Sequence, residues 1–267
     1  MAALGLLSTL FPISQTAHAQ DDLAGDVVAP AVFQAAGSTA TSIQSTVDAY
    51  RAALGDPNNG NSPGPLSSGR REINWDGGDP AIMDTTPPVT PFNVFLNTRG
   101  SQFTTPGIGL SQAPPSGGPQ GGLAVLFNNP TYGTIFSTFS LSRLFTPVGS
   151  NVTDALFFVP GTNGAASATV TGFGAVFTDV DQPDGRKPNK ARTRIEYFDR
   201  DGKRIFSSFV PASPGDGSLS FFGIIFNNAR IASVRIKTDE APGQNDDRRH
   251  DIVMMDDFIY GEPQPLE

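Results

Sequence analysis

The sequence contains no cysteine and only two histidines among its 267 residues. The missing cysteines exclude disulfides, thiolate metal sites and a cysteine nucleophile. His18 falls in the apolar N-terminal stretch, which leaves His250 as the one histidine that a Ser-His-Asp triad could use. A zinc site built from several histidines is excluded for the same reason, so the sequence offers little support for catalysis.

Charged side chains are also scarce, at 16% of the residues, and acidic ones outnumber basic ones by 26 to 18. The formal net charge of −8 argues against nucleic acid and against anionic membranes as partners, because both attract basic surfaces. The apolar run AALGLLSTLFPI near the N-terminus is too short to span a bilayer and is broken by Pro12. We therefore expect no nucleic-acid partner and no membrane span, and an acidic surface that is compatible with cations.

The N-terminal stretch is typical of an export signal. The apolar run is followed by AHA at Ala17–Ala19, which fits the A-x-A cleavage pattern. No basic residue precedes it, since the first charge is Asp21, and we interpret Met1 as lying inside a longer signal peptide. The alternative is a buried or disordered N-terminal segment. The sequence predicts a signal peptide over residues 1–19 and a mature protein, beginning near Gln20, that is secreted or periplasmic.

Glycine and proline are abundant, with 29 and 23 residues, and so is phenylalanine, with 20. This composition is typical of a turn-rich β protein with a phenylalanine core. Residues 123–267 hold nine short β-like runs between turn residues, namely LAVLF, TIFSTFSLSRLF, ALFFVPG, ATVTGFGAVFTDV, TRIEYFD, KRIFSSFV, LSFFGIIFN, RIASVRIKT and DIVMMDDFIYG. We predict an all-β fold, an antiparallel β-sandwich of the jelly-roll type, over this range.

Two local patterns support the β assignment. Phe173, Ala175 and Phe177 alternate with the intervening residues at period two, as one face of a strand does. Asp201-Gly202, between two strand-like runs, predicts a hairpin with a type I′ turn.

We predict that residues 20–122 form an irregular N-terminal segment that packs on the sandwich and supplies an edge or a cap. Long stretches of Pro, Gly, Asn and Ser, such as DPNNGNSPGPLSSG and SQAPPSGGPQGG, indicate loops. One short helix is predicted from Ser45 to Gly55, because Val47, Tyr50 and Leu54 recur at helical spacing.

Several long motifs carry a family resemblance: VDAYRAALG, GRREINWDG, LFTPVGSNVTDALFFVPGT, GFGAVFTDVD and MMDDFIYGEP. They resemble segments of a group of secreted, mostly uncharacterised bacterial proteins related to PEP-CTERM-sorted proteins, a group with no agreed activity. The sandwich half also resembles, more distantly, galactose-binding-like jelly rolls. That resemblance implies a structural Ca²⁺ held by acidic residues near the final strand.

The segment FTDVDQPDG places Asp179, Asp181 and Asp184 in one loop at a strand end. Ca²⁺ prefers six to eight oxygen ligands, which carboxylates on a turning loop can supply. The alternative is a polar turn whose aspartates cap backbone N–H groups.

The last β-like run contains adjacent carboxylates at Asp256 and Asp257. Alternation along a strand predicts that they point to opposite faces, so one is aimed inward and needs a cation or backbone donors. The preceding run NDDRRHD (residues 245–251) is either a solvated loop or a contributor to the same cation site.

The only tryptophan, Trp75, lies in NWDGGD beside Asn74 and Asp76. These residues are candidate ligands for a sugar, with the indole as a stacking platform and the polar neighbours bonding hydroxyls. The alternative is that Trp75 is buried against the sandwich.

The sequence thus favours an exported, non-enzymatic β-sandwich module with a possible structural Ca²⁺, for extracellular or surface binding of a protein or a glycan. One alternative is a structural matrix or cell-surface protein without a small ligand. The other is a glycoside hydrolase that uses two carboxylates.

Overall fold

A computed structural model describes residues 29–84, 88–182, 193–247 and 250–266. The protein is mainly β: two antiparallel sheets of seven and five strands pack as a sandwich, with a few short helices. The predicted antiparallel sandwich is therefore confirmed. In the described ranges, no helix is long and apolar enough to cross a membrane.

The strands, in chain order, are β1 (Ala31–Gly37), β2 (Arg70–Ile73), β3 (Ser101–Thr104), β4 (Gly109–Ala113), β5 (Leu144–Val148), β6 (Val152–Phe157), β7 (Ala168–Thr169), β8 (Gly172–Thr178), β9 (Arg194–Phe198), β10 (Arg204–Phe209), β11 (Leu219–Ile225), β12 (Ser233–Lys237), β13 (Met254–Gly261) and β14 (Gln264–Pro265). The helices are α1 (Ala40–Leu54), α2 (Pro80–Met83), α3 (Leu96–Arg99), α4 (Gly122–Leu126) and α5 (Tyr132–Ile135).

The seven-stranded sheet has the order β1-β11-β8-β13-β5-β4, and β2 pairs with β13 next to β5. The five-stranded sheet has the order β10-β9-β12-β6-β3, and β14 pairs with β7 in a small third sheet. The last long strand, β13, thus lies in the middle of the larger sheet and is buried along its whole length.

Phenylalanine is the commonest residue type in the core between the two sheets. Phe173, Ala175 and Phe177 of β8 all face it, as the period-two pattern predicts. Their intervening neighbour Val176 packs on the outer side of the larger sheet, in a second cluster with Tyr50 of α1. The core prediction is therefore confirmed for this strand.

Helix α1 covers the outer face of the larger sheet and buries Ile43, Val47 and Tyr50. It begins at Ala40, five residues before the predicted start, because Ile43 extends the apolar stripe by one turn. The ring of Tyr50 lies against two glycines: a Cβ at Gly223 would come within 2.9 Å of it, and one at Gly174 within 3.0 Å.

The N-terminal half is more regular than predicted. Strand β1 forms one edge of the larger sheet and β4 the other, β3 forms an edge of the smaller sheet, and β2 pairs with β13. Strands β2, β3 and β4 have only four or five residues each and lie next to Gly- and Pro-containing loops, which obscure their periodicity in the sequence.

Three local predictions in the second half are wrong. TIFSTFSLSRLF is not one strand: its first two residues end α5, and only its last two, Leu144 and Phe145, belong to a strand, β5. LAVLF is not a strand but most of α4, with Leu123 buried and Val125 exposed; a short apolar run does not distinguish a strand from a buried helical turn. The Asp201-Gly202 hairpin exists, yet only Gly202 has a positive φ, whereas a type I′ turn requires it at both residues. The carboxylate of Asp199 instead accepts the N–H groups of Asp201 and Lys203.

Candidate functional site

A β-bulge in β13 determines where its two adjacent aspartates point. Met255 lies opposite Phe177 and Phe258 opposite Ala175, so Asp256 and Asp257 share a single partner position on β8. Met255 and Phe258 both face the core, and the two aspartates both leave on the outer side. The prediction that they point to opposite faces is wrong, because a bulge interrupts strict alternation.

The two carboxylates meet at the hydroxyl of Ser140, with a third from Asp76. Ser140 Oγ lies 2.6 Å from Asp257 Oδ1, 3.1 Å from Asp76 Oδ2 and 3.3 Å from Asp256 Oδ1. The backbone carbonyl of Asn74 lies 3.4 Å away. We call Asp76, Ser140, Asp256 and Asp257 the Ser140 cluster.

In the Ser140 cluster, one hydroxyl faces three carboxylates, so acceptor oxygens outnumber hydrogen-bond donors. A hydroxyl has one proton to donate, and the short distance assigns that of Ser140 to Asp257. Burial and then the charge of Asp257 raise the pKa of Asp256 well above its ordinary value. Burial also raises the pKa of Asp257, against hydrogen bonds from Ser140 and Asp256 and the charge of Arg51. The neutral form is therefore favoured more strongly at Asp256 than at Asp257.

Backbone and cationic donors hold the outer oxygens of this cluster. Asp256 Oδ2 accepts the N–H of Phe139 at 2.6 Å, and Asp257 Oδ2 accepts Arg51 Nη2 at 3.3 Å. Asp76 Oδ1 accepts the N–H groups of Ser142 and Arg143. The cluster therefore fastens the chain around Ser140 to the larger sheet.

Trp75 does not form a sugar platform. Its side chain is 1% exposed, its ring stacks on Phe145 with centroids 3.9 Å apart, and its N–H donates to the carbonyl of Asp256 at 2.9 Å. No face of the indole is open to a ligand, so the predicted stacking role is corrected. The alternative, a tryptophan buried against the sandwich, is the arrangement observed. Asn74 is exposed, while Asp76 belongs to the Ser140 cluster.

A second group of carboxylates lies where β8 ends. Asp179 has a positive φ of 70° and is 0% exposed. Its N–H donates to the carbonyl of Ser218 at 2.9 Å. Both of its carboxylate oxygens, and the hydroxyl of Ser218, are buried without a hydrogen-bond partner among the described residues. Buried polar atoms are usually satisfied by a protein group, a water or an ion, so these three are candidates for binding one.

The surroundings of Asp179 are acidic. Burial, then the charges of Asp246, Asp181, Asp251 and Asp216, raise its pKa to about 9. Burial raises the pKa of Asp251 to about 7, against the backbone N–H groups that it accepts. We call Asp179, Asp181, Asp246 and Asp251 the Asp179 cluster.

Backbone donors hold the other three members of the Asp179 cluster. Asp181 Oδ1 accepts the N–H of Gly215 at 2.7 Å, and Asp246 Oδ1 accepts that of Ile252 at 2.9 Å. Asp251 accepts the N–H groups of Asp181 and Gln182, at 3.4 and 3.1 Å. No three acidic or histidine side chains within the described ranges are already spaced as a metal-coordination shell.

The structure thus divides the predicted metal ligands between two places. Asp179 and Asp181 lie near acidic residues of the NDDRRHD run, whereas Asp256 and Asp257 share the hydroxyl of Ser140 with Asp76. Asp184 lies outside the described residues.

No sequence signal points to Ser140 or Ser218, since neither lies in an unusual motif. Asp246 and Asp251 could be suspected only from the charge run that contains them.

No family model, curated protein or solved structure matches the chain.

Proposed function

We propose that this protein is an exported β-sandwich of the jelly-roll type that binds Ca²⁺ at the Asp179 cluster and acts by binding rather than by catalysis. The observation that carries the proposal is the pair of buried, unpartnered oxygens of Asp179. An ionised carboxylate without a partner is costly inside a protein, and a bound cation removes that cost.

The donors favour a hard cation. Asp179 supplies two oxygens and Ser218 a hydroxyl, none of which has a partner in the described structure. Asp181 and Asp246 each use Oδ1 for a backbone N–H, which leaves Oδ2 for a metal. Five oxygens from separate chain segments, completed by water, suit Ca²⁺ better than Mg²⁺, which demands a near-ideal octahedron. On this proposal the cation draws the carboxylates together from their present spacing.

The test measures metal content and thermal stability. Protein purified with Ca²⁺ is expected to retain metal by elemental analysis, and its melting temperature is expected to fall on addition of EDTA. In Asp179→Asn both effects should disappear. Asp48→Asn, at an exposed position of α1, is the matched control and should keep the wild-type response. Unchanged melting by wild type in Ca²⁺ and in EDTA, with no bound metal, would overturn the proposal.

Export and binding are tested separately. The full-length chain expressed in a bacterium is expected outside the cytoplasm. The glycan expectation lost its support with the burial of Trp75, so the ligand screen should include proteins as well as polysaccharides. Polysaccharide cleavage that is abolished by Asp256→Asn would instead favour the two-carboxylate hydrolase.

A further inference from the structure

We propose that a cation at the Asp179 cluster also fastens the helical pair α4–α5 to the sandwich, so that Ca²⁺ controls the local stability of residues 122–137. This inference rests on the proposed function and adds what the metal would regulate. It follows from where α5 and the residues just after it make their hydrogen bonds.

The first contact is made by the hydroxyl of Tyr132, the first residue of α5, which both donates and accepts a hydrogen bond. Its hydroxyl donates to the carbonyl of Gln244 at 2.7 Å and accepts the N–H of Gly243 at 2.9 Å. Asn129 adds a bond to the same Gln244 carbonyl at 3.1 Å. Only one residue separates Gln244 from Asp246, so a cation that holds Asp246 also holds the partners of Tyr132.

The second contact joins α5 to the turn before β11. The carbonyl of Ile135, the last residue of α5, accepts the N–H of Gly217 at 2.7 Å. Gly217 precedes Ser218, whose carbonyl accepts the N–H of Asp179 and whose hydroxyl is unpartnered.

The third contact joins the chain just after α5 to β8. The N–H of Ser137 donates to Thr178 Oγ1 at 3.1 Å, and Thr178 directly precedes Asp179. The two segments that carry the cluster, at the end of β8 and before β13, therefore bond to residues 132–137, as does the turn before β11 that contains Ser218.

Electrostatics links these contacts to the metal. Without a cation, negative charges on Asp179, Asp181, Asp246 and Asp251 disfavour close approach of the two segments that carry them, the end of β8 and the run before β13. The helical pair bonds to both of these segments. It also contributes to a small apolar cluster that contains Leu144, Ile252 and Met254. A unit of this kind can open locally without global unfolding. A bound cation reverses the repulsion and makes opening require metal release.

Hydrogen exchange of the full chain, followed by mass spectrometry in Ca²⁺ and in EDTA, tests the inference. At a Ca²⁺ concentration of about 100 times Kd, opening that requires release of the metal should become up to about 100-fold rarer. We expect exchange to slow by that order in peptides from residues 122–137. Peptides from α1, which packs on β1 and β11, should change little.

Two variants separate the inference from the proposed function. Tyr132→Phe keeps the ring and removes both hydrogen bonds of the hydroxyl. Ca²⁺ should still bind, while its protection of residues 122–137 against hydrogen exchange falls. Asp179→Asn should lose both binding and protection. Ca²⁺ binding by wild type without slower exchange in residues 122–137 would overturn the inference and leave the proposed function standing. Failure of wild type to bind Ca²⁺ would overturn both.

Discussion

The indole N–H of Trp75 donates to the backbone carbonyl of Asp256 at 2.9 Å, and this bond joins the only tryptophan to the β-bulge of the central strand. A bulge removes a residue from the regular ladder and leaves backbone groups in need of other partners. Trp75 supplies one from the core side, while the carboxylates of Asp256 and Asp257 leave on the opposite side. The two features that stand out most in the sequence are thus parts of one structure.

Substitution of Trp75 should therefore destabilise the fold rather than abolish ligand binding. Trp75→Phe keeps an aromatic ring near Phe145 but leaves the Asp256 carbonyl unpaired, which should cost about 1–3 kcal/mol. Trp75→Ala also opens a cavity and should cost about 3–5 kcal/mol. Urea unfolding followed by circular dichroism measures both. A Trp75→Phe variant as stable as wild type would show that the bond contributes nothing.

The Ser140 cluster should make stability depend on pH through Asp256. Its folded-state pKa is raised from 3.8 by burial and by Asp257. The neutral acid therefore contributes its full stabilisation below the unfolded-state pKa, and this contribution is lost as the pH rises through the folded-state value. Asp256→Asn keeps an acceptor for the N–H of Phe139 and gives a permanent donor to Ser140, so it should flatten the decline of stability on the alkaline side.

The measurement for Asp256→Asn is the free energy of unfolding from pH 5 to 9, in EDTA so that metal does not contribute. Asp179 and Asp251 also have raised pKa values, so they too lower the stability as the pH rises. The informative quantity is therefore the difference in stability between variant and wild type at each pH. Asp256→Ala is the comparison variant. It leaves the N–H of Phe139 without an acceptor and should be less stable than wild type by about 1–3 kcal/mol. Parallel curves for wild type and Asp256→Asn would contradict the raised pKa of Asp256.

A buried ion pair should anchor the loop before β2. Arg71, 0% exposed, makes two bonds to Glu262, from Nε at 2.6 Å and from Nη2 at 2.7 Å. Its Nη1 donates to the loop carbonyls of Gly60 and Ser62. Arg71→Ala leaves the carboxylate of Glu262 buried without its cation and should cost about 3–5 kcal/mol.

The companion of Arg71→Ala is Glu262→Gln, which removes the charge and keeps one acceptor oxygen, for either Asn59 or the N–H of Leu66. Its loss in a denaturant titration should be smaller than that of Arg71→Ala. Equal losses would mean that the loop contacts, rather than the charge pair, determine the effect.

The sequence predicts those parts of the fold that follow from strand periodicity alone. Phe173 and Phe177 reach the core because β8 is regular, and that regularity is visible in the chain. The direction of Asp256 and Asp257 is not, because a bulge depends on how β13 is paired with β8. The meeting of Asp179 with Asp251 also depends on this pairing, which places the start of β13 beside the end of β8. Ser140 joins its cluster through a loop whose path no local pattern encodes.

The glycines beneath Tyr50 give a test of how α1 is held on the sheet. A Cβ at Gly223 would lie 2.9 Å from Tyr50 Cε2 and 3.0 Å from Cζ, closer than packed atoms approach. The tyrosine is fully buried and its hydroxyl donates to the carbonyl of Ile224 at 3.2 Å, so the ring has little room to withdraw. Gly223→Ala should overpack this contact and cost about 1–3 kcal/mol.

A double-mutant cycle identifies Tyr50 as the cause of that cost. If the clash is with the ring, Gly223→Ala should cost much less in a Tyr50→Ala background than in wild type, with a coupling of about 0.5–3 kcal/mol. Gly77→Ala, where a Cβ meets nothing within 4 Å, is the matched control and should change stability by less than about 0.5 kcal/mol. Additive effects of Gly223→Ala and Tyr50→Ala would place the strain in the sheet itself, because Gly174 Cα is the next atom that the new methyl group would meet, at 3.1 Å.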